Sequence, residues 1–499
     1  MSSSYRLSGA VVWTAGIAVL SALYMGLVVP IGFGPDETEH ILRAYQLSLG
    51  HVLPQVVDCT THRHLFSCHG HLTGRLVPKR RAGGNVSYAL LRVLNRIYGV
   101  SHNKGRQVHF RAKDYAPLLG ISLGSKLAFG HFENTALYSP VNYIPATVVF
   151  WIARQVNEPV IAAIFAARLL TGLAWATVVT AAVAIAPRWK WLFSLVVLVP
   201  TALSQATVVS ADSAALAIVT LTTAYALHLA DRGDELRRRE IAALSVLGIL
   251  VGLLKFPLVL VLVAILALLG GVLGSGATRR WRAAVIAVPG LLAAVWWDLA
   301  SNTDFVPYRN VVYQAAQRMY ISQPGQEHYL LAHLLKIPAL FWNTATAGAL
   351  FKLNEVAGTV GEWGLPEWFG IAWLVLFLVL ACANTEGPPL GRGIRGWVGG
   401  TLVTYFLATA IAIYITWTAV GDSQISGMHG RYFTLVLVLA VPLFAGIGAR
   451  RLRINPRISA YSVIAISALS AGWMFSYTAQ RYYAKPPWWV FAHVTSVLF

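Results

Sequence analysis

The sequence predicts an all-α polytopic membrane protein, with about 11 transmembrane helices (range roughly 10–13) and a long first extracytoplasmic loop that contains amphipathic helices. Hydrophobic residues make up 57% of the 499 residues and charged residues only 12%, whereas soluble domains carry roughly 25% charged residues. Apolar runs such as residues 160–187 and 242–275 reach the roughly 20 residues needed to cross a bilayer. The chain is therefore expected to fold in lipid.

The net charge of +19 indicates membrane orientation and not nucleic acid binding, because the basic residues lie mostly in short segments between apolar runs. If all these clusters face the cytoplasm, an even number of spans separates successive clusters. Residues 242–273 meet this condition as a hairpin that turns at Lys255. One long helix kinked at Pro257 is the alternative, but it would place an arginine cluster outside. The basic clusters are residues 188–190, 232–239, 279–282, 392–395 and 450–457.

These crossings divide the chain into six regions. The apolar stretch 7–31 is too long for the core of a cleavable signal, so we expect it to remain as the first helix. Residues 141–156 are expected to lie in the outer leaflet without crossing, and residues 191–209 and 432–449 are each expected to form one span. The regions are 1–31 (first helix), 32–158 (loop one), 159–300 (transmembrane helices 2–7), 301–365 (second extracytoplasmic region), 366–477 (transmembrane helices 8–11) and 478–499 (extracytoplasmic tail).

Loop one opens with GPDETEHILRAYQ, residues 34–46, which places three carboxylates, a histidine and an arginine within eight residues. At the end of a span, such a cluster is costly unless it is solvated or used. One interpretation is structural: Asp36 followed by Glu39 resembles the start of a capped helix. The other is chemical: Asp36, His40 and Arg43 have the i, i+4, i+7 spacing of one helix face, which would combine a carboxylate base with a phosphate-binding cation.

Three further polar residues lie at the predicted outer ends of separate spans. They are Asp212, Lys255 and Arg431. Each has a structural explanation: Asp212 as a helix cap, Lys255 as a snorkelling side chain and Arg431 as a helix-end anchor. Their convergence on one side from different hairpins favours a common site.

Loop one also contains Cys59, Cys68 and a histidine-rich stretch. The cysteines are predicted to form a disulfide in an oxidising compartment. The histidines lack the spacing of standard zinc sites, so no metal site is predicted there, although metal binding remains the alternative. The histidine-rich stretch comprises His62, Arg63, His64, His69 and His71.

The sequence contains no P-loop and no dinucleotide-binding glycine motif, and its cytoplasmic loops are too short for a nucleotide-sugar domain. Any donor substrate must then be reached from the membrane or from the outer face. No cofactor is predicted, and a divalent cation requirement is left open.

The opening motif PDETEH with RAYQ resembles the signature of a bacterial family of predicted membrane proteins, catalogued as a domain of unknown function. The resemblance covers most of the chain. That family is similar to the GT-C glycosyltransferases, which have many spans and an acidic residue in the first outer loop. Further segments that agree in order are YSPVNYIP at 138–145, SAD at 210–212, LKFP at 254–257 and GRY at 430–432.

The resemblance implies a catalytic base at Asp36, with Glu37 as the alternate. Thr38 and Glu39 stand where the family has more apolar or small residues, so the roles of the neighbouring acids are left open. The residues predicted to bind the donor phosphate are His40, Arg43, Lys255 and Arg431. The predicted supporting residues are Glu39, Tyr45, Asp212 and Tyr432.

The implied activity is sugar transfer from a polyprenyl-phosphate donor to a cell-envelope polysaccharide or glycolipid, on the extracytoplasmic face of a bacterial inner membrane. A composition rich in Ala, Val and Arg indicates a high-GC genome, such as that of an actinobacterium. Decaprenyl-phosphate-linked arabinofuranose is then the leading donor, followed by mannose. This step rests on analogy of fold.

Two other functions remain open. A transporter or flippase of lipid-linked saccharides would show inverted repeats and polar residues at mid-membrane in broken helices. A non-catalytic subunit of envelope assembly would tolerate the loss of Asp36.

Overall fold

The described chain is mostly helical in the computed structural model, and six of its helices are long and apolar enough to cross a membrane. This confirms the prediction of a helical polytopic membrane protein. The six are Gly9–Val28, Val160–Ile185, Ala211–Arg232, Gly276–Ser301, Arg392–Trp417 and Pro456–Tyr483. The structure describes residues 8–59, 61, 80–102, 114–301, 321–361, 363–449, 451–452 and 454–498.

The helices are numbered along the described chain. They are α1 (Gly9–Val28), α2 (Glu37–Ser48), α3 (Tyr88–His102), α4 (Glu133–Ala136), α5 (Ile144–Gln155), α6 (Val160–Ile185), α7 (Lys190–Val197), α8 (Pro200–Ala206), α9 (Ala211–Arg232), α10 (Arg238–Leu254), α11 (Val261–Leu268), α12 (Gly276–Ser301), α13 (Gln323–Ala332), α14 (Ile337–Thr346), α15 (Ala349–Gly358), α16 (Glu367–Cys382), α17 (Arg392–Trp417), α18 (Arg431–Thr434), α19 (Ala440–Phe444), α20 (Pro456–Tyr483) and α21 (Pro487–Leu498). Short 3₁₀ helices lie at Ala116–Leu118, Pro140–Tyr143, Phe256–Leu260, Leu334–Lys336 and Leu437–Leu439.

Two small antiparallel sheets, which the sequence did not predict, lie between the helices. The first sits in loop one and has the order β1-β2-β3. The second is a two-stranded ladder after α15. The strands are β1 (Gln55–Asp58), β2 (Arg80–Ser87), β3 (Leu127–His131), β4 (Thr359–Val360) and β5 (Trp363–Gly364).

The basic clusters gather at one end of the bundle. Arg188, after α6, pairs with Asp231 at the end of α9. Arg282, in the first turns of α12, pairs with Glu235 at 3.0 Å. Arg188 also donates to the carbonyl of Pro388, just before α17. We call this the basic end; that it faces one side of the membrane stays a prediction.

The segment from α10 to α11 is a hairpin and not one kinked helix. Leu236, just before α10, donates its N–H to the carbonyl of Val272, just after α11, at 3.1 Å. The two outer ends of this segment therefore meet at the basic end. Lys255 adopts an extended conformation at the opposite end, where the chain turns back. This opposite end also holds Asp212 in the first turn of α9, since 22 helical residues separate the two ends by about 30 Å.

Two predicted continuous spans are broken, which corrects that part of the prediction. Residues 191–209 contain α7 and α8, and α8 begins at Pro200, which has no N–H to continue the preceding helix. Residues 432–449 contain α18, a 3₁₀ turn and α19. Just after the break, in the first turn of α8, the Thr201 hydroxyl donates a hydrogen bond to the carbonyl of Glu355 in α15 at 3.0 Å.

Helix α5 lies against α2 and α6 and has one apolar face without protein cover. This face fits the predicted position in the outer leaflet, because an uncovered apolar stripe is stable against lipid. Its exposed side chains, extended by one at the helix end, are Ile144, Val148, Trp151, Ile152 and Val156.

Candidate functional site

The turn between α1 and α2 is held by Glu37. Its Oε2 accepts hydrogen bonds from the N–H groups of Gly32 at 2.9 Å and Gly34 at 3.4 Å. Its Oε1 accepts from Nε of Arg168 at 2.6 Å, and a second guanidinium nitrogen bonds Oε2. Glu37 and Arg168 have fully buried side chains, so each charge depends on the other for compensation.

Arg168 uses all five of its N–H donors on this turn. It also donates to three carbonyls in the last turn of α1 and just after it, those of Gly26, Val29 and Pro30. We call Glu37, Arg168 and these carbonyls the buried clamp. Both carboxylate oxygens of Glu37 are bonded inside the protein, which disfavours Glu37 as the alternate base. Sequence reasoning missed Arg168, although an arginine inside an apolar helix is a strong signal.

Asp36 has the opposite environment. Its carboxylate is 45% exposed and lies 3.5 Å from Nη2 of Arg431, with Nδ2 of Asn134 at 3.4 Å. Asp36 adopts the left-handed conformation, with φ 53°, and its side chain makes no capping hydrogen bond to α2. Asp tolerates this conformation better than most residues. The helix-cap explanation of Asp36 therefore lacks its defining hydrogen bond.

A second ion pair, between Lys255 and Asp212, lies at the same end. The Lys255 ammonium lies 5.1 Å from the centre of the Tyr138 ring and 5.5 Å from that of Tyr432. Cations are attracted to the faces of aromatic rings. The guanidinium carbon of Arg431 lies 5.5 Å from the Tyr432 ring as well. We call Asp36, Asp212, Lys255 and Arg431, with the rings of Tyr138 and Tyr432, the open cluster.

Arg431 is placed by close packing at Gly430. A Cβ atom at Gly430 would lie 1.8 Å from the carbonyl oxygen of Lys352 on α15, so no larger residue fits. The Gly430 N–H donates to Oε2 of Glu355 at 2.7 Å. Nδ1 of His429 lies 3.0 Å from the other oxygen of Glu355. Sequence reasoning missed Glu355, which lies 75 residues away.

The segment Tyr138 to Tyr143 positions Lys255. The Ser139 hydroxyl donates to the carbonyl of Leu253, and Nδ2 of Asn142 donates to that of Leu254 at 3.2 Å. The last carbonyls of a helix lack partners within the helix. The motif YSPVNY therefore caps α10 immediately before Lys255.

His40 is enclosed by the same segment. Its Nδ1 lies 2.7 Å from the hydroxyl of Tyr143, and its ring stacks on Tyr138 at 5.8 Å. Burial lowers the pKa of His40 to about 4, because removing water disfavours the charged form. Burial therefore disfavours His40 as a phosphate-binding cation, and its contacts are suited to positioning the Tyr138 ring.

Arg43 and Tyr45 make their contacts within loop one and not with the four charged side chains of the open cluster, so their predicted roles stay predictions. The Arg43 side chain is fully buried and donates to the carbonyls of Val52 at 2.7 Å and Tyr138 at 3.2 Å. Tyr45 is also buried, with its ring against Phe150. Both residues attach α2 to the rest of loop one.

Glu39 borders the open cluster from behind Asp36. Its carboxylate accepts the N–H of Asn134 at 2.8 Å, the residue whose side chain reaches Asp36. Burial raises the pKa of Glu39 well above its usual range, with the nearby carboxylates of Glu133 and Asp36 adding to the shift. The predicted supporting residue thus holds the segment that contacts Asp36.

The predicted disulfide and histidine-rich stretch fall largely outside the described residues. Cys59 is disulfide-bonded, but Cys68 lies outside the described residues, so the pairing stays a prediction. Within the described ranges, no group of three or more His, Cys, Asp or Glu side chains could hold a metal ion. Outside those ranges lie His62, Arg63, His64, His69 and His71.

One family model, described as "Predicted membrane protein (DUF2142)", matches residues 19–440. The match includes both the buried clamp and the open cluster. No curated protein and no solved structure matches the chain.

Proposed function

We propose that this chain, which belongs to that family of predicted membrane proteins, is a glycosyltransferase of the GT-C type that uses a polyprenyl-phosphate sugar donor. The observation that carries the proposal is the open cluster itself. An exposed carboxylate, Asp36, lies 3.5 Å from Arg431, and a second cation, Lys255, is held nearby between two aromatic rings.

The position of the open cluster supports a lipid-linked donor. Basic segments of membrane proteins favour the cytoplasmic side, so the basic end would face the cytoplasm and the open cluster would face outwards. A donor with its prenyl chain in the outer leaflet would carry its phosphate at the level of the helix ends. Asp36, Lys255 and Arg431 all lie at such ends.

The chemistry needs one base and at least one cation. The acceptor hydroxyl attacks the anomeric carbon, and Asp36 takes its proton as the new carbon–oxygen bond forms. The bond from the anomeric carbon to the phosphate oxygen breaks, and its electron pair leaves with the polyprenyl phosphate. Arg431 and Lys255 would stabilise this growing charge. The planar guanidinium of Arg431 suits two-point contact with phosphate oxygens.

The open cluster favours transfer over transport. Its charged side chains lie at one end of the bundle, whereas transporters place their substrate sites near the middle of the membrane. The clamp residues Glu37 and Arg168 are charged and deeper, but they are fully buried and bonded to each other. They present no free group to a passing substrate.

The test is sugar transfer by Asp36→Asn. The amide keeps the size of the side chain and tolerates the left-handed conformation, but it cannot accept a proton. Transfer from decaprenyl-phosphate arabinofuranose or polyprenyl-phosphate mannose to bacterial membranes should fall at least about a hundredfold. Radiolabelled product is measured with purified protein at equal amounts.

The matched control is Asp234→Asn, which makes the same change at an exposed position of the basic end and should transfer normally. Normal transfer by Asp36→Asn would remove the proposed base. No transfer by the wild type from either donor, with donor binding absent as well, would contradict the function itself.

A further inference from the structure

One polar pair beside the open cluster takes no part in the mechanism above. Glu355 lies on α15 with only 9% of its side chain exposed, and His429 has 43% of its side chain exposed. Oε1 of Glu355 lies 3.0 Å from Nδ1 of His429. Oε2 of Glu355 accepts the N–H of Gly430 at 2.7 Å. His429 is thus fixed two residues before Arg431.

Glu355 is itself rigidly held. Its carbonyl accepts hydrogen bonds from the hydroxyls of Thr201 at 3.0 Å and Thr359 at 2.9 Å. We assign the contact between these two side chains as a hydrogen bond from Nδ1–H of His429 to Oε1 of Glu355, because carboxylate oxygens accept hydrogen bonds. Nε2, on the other side of a half-exposed ring, is then the nitrogen available to a bound molecule.

The two cations of the open cluster are matched by two carboxylates, so the cluster has no excess positive charge. Arg431 faces Asp36, and Lys255 faces Asp212. A bound donor brings a phosphodiester with one negative charge, and the released phosphomonoester gains a second ionisation with a pKa of about 6. Imidazole groups exchange protons in the same range.

We propose that His429, oriented by Glu355, is the proton donor to the departing phosphate. This inference rests on the proposed function. When the bond between the anomeric carbon and the phosphate oxygen breaks, its electron pair stays on the phosphate, and the imidazolium Nε2–H gives its proton to that phosphate. The acceptor proton goes to Asp36. After the products leave, Asp36 loses its proton to water and His429 regains one from water.

The surroundings of His429 are compatible with this role. The groups that contact its ring are Glu355 from α15 and Tyr432 from its own segment. Lys352 lies one turn before Glu355 on α15, and Arg431 lies two residues after His429. Lys352 is occupied by the carbonyls of Thr344 and Ala347. The Tyr432 ring meets His429 edge-on at 5.9 Å. Glu355 therefore makes the direct polar contact that orients the imidazole, and it is a positioning residue.

The experiment is chemical rescue of His429→Ala. Loss of a general acid should lower kcat about a hundredfold, while the KM for the donor stays within about threefold, because the binding cations remain. Added imidazole should restore at least a tenth of the lost rate in His429→Ala. It should leave the wild type and Asp36→Asn unchanged. A merely structural His429 would not respond to imidazole.

Two further variants complete the test. Glu355→Gln should lower kcat less than His429→Ala, and the double variant should be no slower than His429→Ala alone, because both act through one group. The control His228→Gln, an exposed histidine on α9, should be normal.

Normal kcat in His429→Ala, with Asp36→Asn inactive, would overturn the proposal and leave the proposed function intact. A binding measurement separates the two further, because it needs no turnover. His429→Ala should bind decaprenyl phosphate, the released carrier, more weakly than the wild type by thermal shift, with decaprenol as the control lipid. Equal binding combined with a failure of imidazole rescue would also overturn the proposal.

Discussion

Asp36 and Glu37 are adjacent carboxylates, yet they belong to two regions with opposite physical character. In the buried clamp, Glu37 is 1% exposed and its oxygens meet a guanidinium whose five donors are all used. In the open cluster, Asp36 is exposed, and its nearest cation lies at 3.5 Å. The first region thus holds the turn through contacts closed to solvent, whereas the second presents a carboxylate to solvent. A bound phosphate could displace Asp36 from Arg431, whereas nothing from outside can reach Arg168.

The largest expected effect comes from breaking the buried clamp. Arg168→Met leaves the Glu37 carboxylate buried without its cation, which typically costs about 3–5 kcal/mol. The purified variant should therefore have a much lower thermal unfolding midpoint in detergent. The double variant Glu37→Met with Arg168→Met should recover part of this loss, because no uncompensated charge remains. A wild-type midpoint in Arg168→Met would show that the clamp is dispensable.

Substitution of Arg43 should lower stability, as in the buried clamp, and should leave donor binding unchanged. Arg43→Leu removes the donors to two carbonyls and leaves them unpaired, so we expect a loss of about 1–3 kcal/mol in the free energy of unfolding. The donor KM should not change, because the contacts of Arg43 do not include the charged side chains of the open cluster. Arg239→Leu makes the same change at an exposed position and should leave stability unchanged. A raised donor KM in a stable Arg43→Leu protein would return Arg43 to the site.

A smaller effect is expected from the titration of His40. Its folded-state pKa of about 4 lies below the ordinary imidazole value. Between about pH 6.5 and pH 4 the unfolded chain binds a proton that the folded protein does not, so stability should decline as the pH falls through this window. In His40→Gln the decline should be shallower by on the order of 1 kcal/mol. Identical pH profiles of the unfolding midpoint would contradict the buried, neutral state of His40.

The smallest effect on stability should come from Asp36→Asn. Solvent screens the Asp36 carboxylate, which is 45% exposed, and ion pairs screened in this way contribute about 0–1 kcal/mol. The unfolding midpoint should therefore stay close to that of the wild type even though transfer is lost. Glu37→Gln, one residue along the chain, is the matched comparison and should lower the midpoint clearly. Equal destabilisation by the two substitutions would erase the distinction between the two regions.

The helical polytopic class and the end of the bundle at which the basic clusters lie could be predicted from sequence, because hydropathy and charge are local properties. The hairpin at Lys255 and the gathering of Asp36, Asp212 and Arg431 followed from topology alone. Breaks inside apolar runs were missed, because Pro200 was not distinguished from a proline that only bends a helix.

The roles within the opening motif were less predictable. The i, i+4, i+7 spacing places Asp36, His40 and Arg43 on one face only if all three are helical. Asp36 instead precedes α2 in the left-handed conformation, so its side chain leaves that face. The roles of Arg168 and Glu355 were not predicted because their partners lie 131 and 74–75 residues away along the chain. The spacing of residues within a short segment does not indicate such long-range contacts.

The distance along the chain between Asp36 and Arg431 has a consequence for biogenesis. At a translation rate of about 5–20 residues per second, the roughly 400 residues between them take about 20–80 s to synthesise. The buried clamp can close as soon as α6 is inserted, since Arg168 is made early. The nascent protein therefore spends most of its synthesis with a finished N-terminal turn and an incomplete open cluster. A ribosome that stalls before α18 would leave a membrane-inserted chain that is anchored but inert.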